Sequence, residues 1–334
     1  MTDKKMKYEI QNDLLKILNQ LDKTKSIKKY NALVRDLSLL DNLANILCLE
    51  TDFNKYNYDF KLFFLKEIEL LKQEKNFYLN NYEYNSELVD NYKYIIDSLE
   101  DKNFKYDVEY MKRNDTTKLV LNFLKYYDRN ILRKFKKCVE MNKFIYLNEN
   151  SLECTGLTVA GKNFSSYILV EDLNSIFTSV TLVHEIGHLY DLNNSYLKNN
   201  CLNEIYSHYL EIVFYDYIED KKDRKNVKYG LIEDLYDSLT DLENLLNENI
   251  INNIDFKQKY YQIYSILDYT YGIILALEFY NIYSEDMEYG KYIINDFSKN
   301  KNKIKNPMDL MKKYNLDKEK ILEGETLKKY IKKI

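Results

Sequence analysis

The sequence has few of the residues that interrupt secondary structure, since its 334 residues include seven glycines and one proline. β-Sandwiches, β-barrels and doubly wound sheets use these residues at their many turns, so the composition disfavours all three classes. Hydrophobic residues make up 45% of the chain and charged residues 31%, which allows a buried core and excludes a wholly disordered protein. The composition therefore predicts a mostly α-helical fold.

No charge of one sign dominates, because 49 Lys and Arg stand against 53 Asp and Glu, for a net charge of -4. A general nucleic-acid-binding protein needs a basic surface, so nucleic acid is not an expected partner. The most apolar stretch, Gly272 to Leu277, is far shorter than the roughly 20 residues of a membrane span, so no membrane association is expected. The N-terminal pattern shows no apolar leader, and the four cysteines form no Cys-x-x-Cys pair. We therefore expect a cytoplasmic location and reduced, buried thiols.

Apolar residues recur at helical spacing through the first part of the chain, which predicts successive amphipathic helices. Near residue 145 the pattern changes, and two short β-prone runs, Phe144 to Leu147 and Ser166 to Val170, predict one small sheet. Helical periodicity resumes after Asn174, and Pro307 precedes a final Lys-rich helix. We divide the chain into an N-terminal helical region, 1–145, and a C-terminal region, 146–334, with its sheet in 146–172 and its helices in 173–334.

The most informative motif is the HExxH sequence at residues 184–188, which contains two of the three histidines of the chain. On a helix, His184 and His188 project from the same face about one turn apart, so the two imidazoles can share one metal ion. Glu185 lies about 100° around the helix, where it can hold a metal-bound water but cannot join the pair of ligands. The sequence therefore predicts a catalytic metal site in preference to two histidines of an ordinary helix core.

A catalytic zinc ion normally has three protein ligands, and spacing alone leaves two candidates for the third. Glu204 lies sixteen residues after His188, in a segment with a helical pattern, which is far enough for an antiparallel return. His208, the remaining histidine, lies on the same face of that predicted helix as Glu204. Glu204 would complete a His, His, Glu site, and His208 would complete a site of three histidines.

The metal-binding pattern resembles that of the thimet oligopeptidase and oligoendopeptidase F family of zinc metallopeptidases, and within it the Pz-peptidase-like branch. Residues 184–188 match the family's HExGH helix. Glu204, Ser207 and Glu211 match its third-ligand helix, which has the form E-x-x-S-x-x-x-E. The resemblance favours Glu204 as the third ligand and implies one zinc ion per chain.

The similarity extends over roughly residues 155 to 285, and the segment from Tyr264 to Tyr280 resembles the branch's downstream helix. The family usually places a histidine shortly before that helix, as a hydrogen-bond donor to the transition state, but Gln258 and Lys259 occupy this place here. The chain is also shorter than typical members. The region that forms one wall of the family's substrate channel, 1–145 in this chain, is therefore expected to be reduced.

The resemblance implies a multi-helix zincin-type bowl with a substrate channel, and a zinc-dependent oligoendopeptidase that hydrolyses peptide bonds in short peptides. Glu185 is the expected general base, and Tyr269 and Tyr264 are the candidate donors to the negative charge that develops on the substrate. Glu211 and Asp191 are expected to orient zinc-binding histidines. Two other functions remain open: a zinc-binding helical interaction protein with impaired catalysis, and a metallohydrolase of another substrate class.

The second β-prone run directly precedes the metal-binding helix, and its residues Tyr167, Ile168 and Leu169 are the predicted substrate-binding residues. As an exposed edge strand, it would bind an extended peptide by strand addition, through main-chain hydrogen bonds. The alternative is a strand that is paired wholly within its own sheet.

Overall fold

The computed structural model describes residues 2–21, 23–24, 26–47, 81–99, 106–148, 152, 155–192, 202–247 and 260–334, without the side chains of residues 2–3, 27–28, 31, 82, 192, 245–247, 260–265 and 267–268. The described helices are α1 (Thr2–Leu21), α2 (Ile27–Ile46), α3 (Tyr82–Asp97), α4 (Arg113–Tyr127), α5 (Arg129–Glu140), α6 (Ile176–Leu192), α7 (Ile205–Tyr217), α8 (Lys221–Asn247), α9 (Tyr260–Glu285), α10 (Met287–Asn300), α11 (Pro307–Lys313), α12 (Lys318–Leu322) and α13 (Glu325–Ile331). The strands are β1 (Phe144–Asn148), β2 (Gly156–Val159) and β3 (Tyr167–Asp172). The predicted fold class, mostly α-helical with one small sheet before the HExxH helix, is confirmed.

Short polar side chains take the turn and capping positions for which most chains use glycine and proline. Asn142, Asn174 and Asn315 have positive φ angles of 54°, 51° and 53°, a conformation that asparagine tolerates better than most residues. Asp128 and Asp286 cap the N-termini of α5 and α10 by accepting hydrogen bonds from amides of the first helical turn. The chain thus forms many helices with few glycines and prolines.

The chain divides into two compact units. One comprises Met1–Glu69 and Met111–Asn193, and the other comprises Leu70–Tyr110 and Asn194–Ile334. The first unit contains α1, α2, α4, α5, the sheet and α6, and the second contains α3 and α7 to α13. The predicted boundary at residue 145 separates a channel wall from a catalytic region, and it stays a prediction.

The sheet of the first unit has the strand order β1–β3–β2, with β3 parallel to β1 and antiparallel to β2. The prediction that β3 is an exposed edge, with Tyr167, Ile168 and Leu169 open to a peptide, is therefore wrong. Ile168 is paired with Phe144 on one side and with Thr158 on the other, and the three predicted residues are each 0% exposed. The reason is visible in the continuous apolar run of β3, which is typical of a central strand that is covered on both faces.

One face of the sheet is covered by α1 and α2. Tyr167 and Leu169 belong to a core cluster with the apolar faces of these two helices. Because successive side chains of a strand point to opposite faces, Ile168 and Val170 lie on the other face, where α6 packs. The helices predicted at the start of the chain are confirmed by buried residues at helical spacing, which are Leu14, Leu18, Leu21, Leu33, Leu37, Leu40 and Ala44.

A buried carboxylate joins α2 to the loop between β2 and β3. Asp36 is 0% exposed and accepts hydrogen bonds from the backbone amides of Lys162, at 3.0 Å, and Asn163, at 2.7 Å. The side-chain amide of Asn163 donates a further hydrogen bond of 2.7 Å to the same carboxylate. The loop is thereby fixed to the helix that covers the sheet.

In the second unit α7 is buried on all sides, since residues 205–215 are all buried. Such a helix has apolar residues around its whole circumference, and it packs against α9. Although α9 is itself rich in apolar residues, no helix among the described residues is long and apolar enough to cross a membrane.

The C-terminal segment differs from the single Lys-rich helix that the sequence predicts. Pro307 is the first residue of α11, which Asn306 caps, but the chain then forms the separate helices α12 and α13. Asn315 and Gly324 have left-handed φ angles of 53° and 65°, which end the preceding helices. A left-handed residue cannot continue a right-handed helix, so the segment is divided.

The thiol of Cys138 is free and buried. Burial raises its pKa to about 12, although Lys143 opposes the shift, so the group stays a neutral thiol. The prediction of a buried, reduced cysteine is confirmed at this position. The other cysteines lie outside the described residues and are Cys48, Cys154 and Cys201.

Candidate metal centre

The HExxH residues lie on α6 in the first unit. Leu182, Val183 and Ile186 of this helix are 0% exposed, whereas His184 and His188 are half-buried. The Nε2 atoms of the two histidines are 3.0 Å apart, and the rings meet edge to face with their centroids 4.7 Å apart. The helix therefore brings the two imidazoles together, as the spacing predicts.

The separation of these nitrogen atoms fits a shared zinc ion. Two Zn–N bonds of about 2.0–2.1 Å that meet at a tetrahedral angle place the nitrogens about 3.3 Å apart. The observed 3.0 Å also suits a hydrogen bond from one neutral imidazole to the other. A shared zinc ion would thus change the separation of these two nitrogens by only a few tenths of an ångström.

Glu185 lies against β2 and is 4% exposed. A Cβ atom at Gly156 would lie 2.6 Å from Oε1 of Glu185, so the glycine is what lets the carboxylate approach the strand. The hydroxyl of Thr158 donates a hydrogen bond of 3.0 Å to the backbone oxygen of Glu185. Sequence reasoning missed both β2 residues, although an isolated glycine in a β-prone segment is a signal of close approach.

Asp191 lies near the end of α6 and is 0% exposed. Lys134 of α5 donates a hydrogen bond of 3.4 Å to the backbone oxygen of Tyr190. Burial lowers the pKa of Lys134, and the nearby Asp191 carboxylate opposes that shift. The role of Asp191 in orienting a histidine stays a prediction.

In the second unit, Glu204 and His208 lie one turn apart at the start of α7, and the backbone amide of His208 donates to the oxygen of Glu204 at 3.0 Å. Both pack against Gly272 of α9. A Cβ atom there would lie 2.6 Å from Cβ of Glu204 and 3.3 Å from Cδ2 of His208. Glycine inside a helix costs about 1 kcal/mol relative to alanine. In return, the glycine lets α7 approach α9 closely. A glycine within an apolar helical run was the sequence signal that could have predicted a close approach here.

Glu211 is in hydrogen-bonding distance of His208. Its Oε2 atom is 3.3 Å from Nδ1 of His208 and accepts a hydrogen bond of 3.1 Å from the hydroxyl of Tyr215. Burial, followed by the charge of Glu211, raises the pKa of Tyr215 well above its ordinary value, so this hydroxyl keeps its proton. Within the second unit, the histidine that Glu211 contacts is thus His208.

Tyr269 of α9 lies beside the same histidine. Its ring meets that of His208 edge to face, with centroids 5.6 Å apart and an interplanar angle of 66°, and it is 40% exposed. The side chain of Tyr264 lies outside the described residues, and so do Gln258 and Lys259. Of the two predicted tyrosine donors, the structure therefore describes Tyr269 and places it in a cluster with His208.

Comparison with known proteins gives similarity at the level of the fold. No protein-family model matches the sequence, and no curated protein matches it either. One similar solved structure is described as a "putative oligoendopeptidase F from Bacillus anthracis str. Ames", with a TM-score of 0.51 and 14% identity over 91% of this chain and 60% of that chain. Another is described as a "putative peptidase from Chlamydophila abortus", with a TM-score of 0.48 and 13% identity over 92% of this chain and 61% of that one.

The first of these similarities shows a shared fold. Membership of the family that the motifs of residues 184–211 suggest, and of its Pz-peptidase-like branch, stays a prediction. This chain spans about 60% of the length of both solved proteins.

Proposed function

We propose that this protein is a zinc-dependent oligoendopeptidase that hydrolyses peptide bonds in short peptides. The observation that carries the proposal is the pair of Nε2 atoms of His184 and His188, 3.0 Å apart, on a helix whose next residue, Glu185, is a buried carboxylate. The ligand set proposed is His184, His188 and Glu204, with one zinc ion per chain. Glu204 is supported by its place in the E-x-x-S-x-x-x-E pattern.

A zinc ion bound to this set would polarise the peptide carbonyl and lower the pKa of a water molecule. Glu185 accepts the proton of the attacking water and passes it to the leaving amine. This carboxylate suits the role because Thr158 holds its backbone and Gly156 leaves room for its side chain. The hydroxyl of Tyr269 donates a hydrogen bond to the developing oxyanion, and Tyr264 remains the second candidate.

The strand proposed to align the peptide is β2 in place of β3. It lies beside Glu185, and among the described residues its second edge is paired with no strand. An extended peptide added to that edge would gain main-chain hydrogen bonds without strong selection for side chains. Peptide binding is thereby assigned to Gly156–Val159.

The test is cleavage of a fluorogenic peptide mixture with and without a chelator, with zinc analysis of the same sample. We expect about one zinc ion per chain and cleavage that the chelator abolishes and added zinc restores. The Glu185→Gln protein, purified in parallel, controls for a contaminating protease. Cleavage that a chelator does not affect would contradict the proposal, and bound zinc without cleavage would favour the interaction protein with impaired catalysis.

A further inference from the structure

His208 has the surroundings of a metal-binding histidine. Its side chain is 3% exposed, and it lies one turn after Glu204, so both side chains extend from the same face of α7 toward Gly272. The spacing of four residues is the one that lets His184 and His188 meet on α6. The second unit thus presents a pair of potential ligands on one helical face, as the first unit does.

The hydrogen bonds of His208 fix the tautomer of its ring. Oε2 of Glu211 accepts a hydrogen bond from the hydroxyl of Tyr215, and a carboxylate oxygen facing Nδ1 of His208 at 3.3 Å requires that this nitrogen carry a proton. In the neutral ring the lone pair is then on Nε2. Metal-binding histidines commonly donate their other N–H group to a carboxylate, which fixes the ring and raises its basicity.

Two neighbours of the ring set its orientation. Cδ2, the carbon bonded to Nε2, lies next to Gly272, where a Cβ atom would be 3.3 Å away. The ring of Tyr269 meets the imidazole edge to face. A half-turn of the ring would put Cδ2 in the place of Nδ1 and would therefore break the contact with Glu211.

We propose that His208 is a metal ligand through Nε2, so that Glu204 and His208 form the metal-binding pair of α7. This inference rests on the proposed function, because it concerns the same zinc ion, and it makes all three histidines of the chain ligands. Four protein ligands are typical of closed zinc sites, whereas catalytic sites keep a position for water. Peptide hydrolysis by this chain therefore requires that one ligand give way to water or that the coordination expand.

The test uses cobalt(II) in place of zinc and proton NMR of the full chain. A histidine bound to cobalt through Nε2 gives one strongly shifted Nδ1–H signal, which disappears in deuterated water. We expect three such signals. Two signals would overturn the inference and leave the proposed function intact, and a chain that binds no cobalt and no zinc would contradict the proposed function itself.

The His208→Asn variant removes Nε2 and keeps an amide donor near the position of Nδ1. We expect it to lose one of the three signals and to bind zinc at least about tenfold more weakly in competition with a chelator. Tyr215→Phe is the matched control, because it removes the second donor to Glu211 and leaves the imidazole in place, so it should keep three signals. An unchanged spectrum in His208→Asn would overturn the inference, and the signal count of the wild-type chain decides it even if the variant fails to fold.

Discussion

The two units hold their candidate site residues in different ways. In the first unit, His184, Glu185 and His188 come from one continuous motif, and the geometry of an apolar helix sets their positions. In the second unit, His208 and Glu204 depend on contacts with side chains of α7 and with α9. A site of the first kind is lost when a motif residue changes, whereas a site of the second kind should weaken in steps as its neighbours change.

The largest effect is expected from His184→Ala combined with His188→Ala. Both imidazoles of the first unit are then absent, so zinc should be lost and peptide cleavage should fall to background. The fold should remain, because Leu182, Val183 and Ile186 still bury α6. Elemental analysis and circular dichroism check the two expectations. Stoichiometric zinc in the double variant would show that the first unit does not supply the ligands.

Glu185→Gln separates the general base from the ligands within the first unit. Cleavage should fall by about 10²- to 10⁴-fold, as is usual when a general base is lost, while zinc stays bound. Glu204→Gln should instead weaken zinc retention. Metal analysis and single-turnover rates for both variants provide the measurement, and metal loss in the first variant with full retention in the second would mean that the two roles are exchanged.

In the second unit, Tyr269→Phe removes one hydroxyl and keeps the ring that packs on His208. Turnover should fall by about 10²- to 10³-fold with zinc content unchanged, since a donor to the oxyanion is lost. Tyr289→Phe on α10, also an exposed tyrosine, is the matched control and should have the wild-type rate. Lys259 is the alternative to Tyr269, because a cation in the place of the family's histidine could also stabilise the negative charge. A loss of turnover in Lys259→Met alone would assign the role to Lys259.

Gly272→Ala should give the smallest effect, and it acts on the contact between α7 and α9. The added Cβ would lie 2.6 Å from Cβ of Glu204, so α7 must shift, at a cost of about 1–3 kcal/mol in unfolding free energy. A shift of the ligand pair should weaken zinc binding by about tenfold, which corresponds to about 1.4 kcal/mol. Denaturation and chelator competition measure these changes.

Ala276→Gly is the control for this position, one turn further along α9. It should destabilise the chain by about 1 kcal/mol through helix propensity and leave zinc affinity unchanged. Wild-type zinc affinity in Gly272→Ala would show that the ligand pair of the second unit does not depend on this contact.

Local patterns in the sequence were enough to predict part of the fold. Helices α1 and α2 follow from apolar residues at helical spacing, and β1 and β3 from short β-prone runs. The position of β3 in the centre of the sheet did not follow, because β2 is a weak run, Gly156 to Val159, whose pairing depends on residues far along the chain. The break at Asn315 was also hidden, since asparagine occurs in helices as well as in left-handed turns.

The candidate site shows the same limit. The pair His184 and His188 is readable because both residues belong to one helix, and the contact of Glu211 with His208 could be predicted from their spacing of three residues. The contacts of Thr158 with Glu185 and of Gly272 with Glu204 could not be predicted from the sequence. Each joins two elements whose packing is set by many side chains at once.

Amide hydrogens in loops usually exchange quickly with solvent, but two amides of the β2–β3 loop should not. Those of Lys162 and Asn163 are bound to the carboxylate of Asp36, which is 0% exposed on α2. Their exchange requires that this helix leave its place beside the sheet, so it follows the opening of a larger cooperative part of the first unit. The exchange rates of these two loop amides would therefore report how often α2 separates from the sheet.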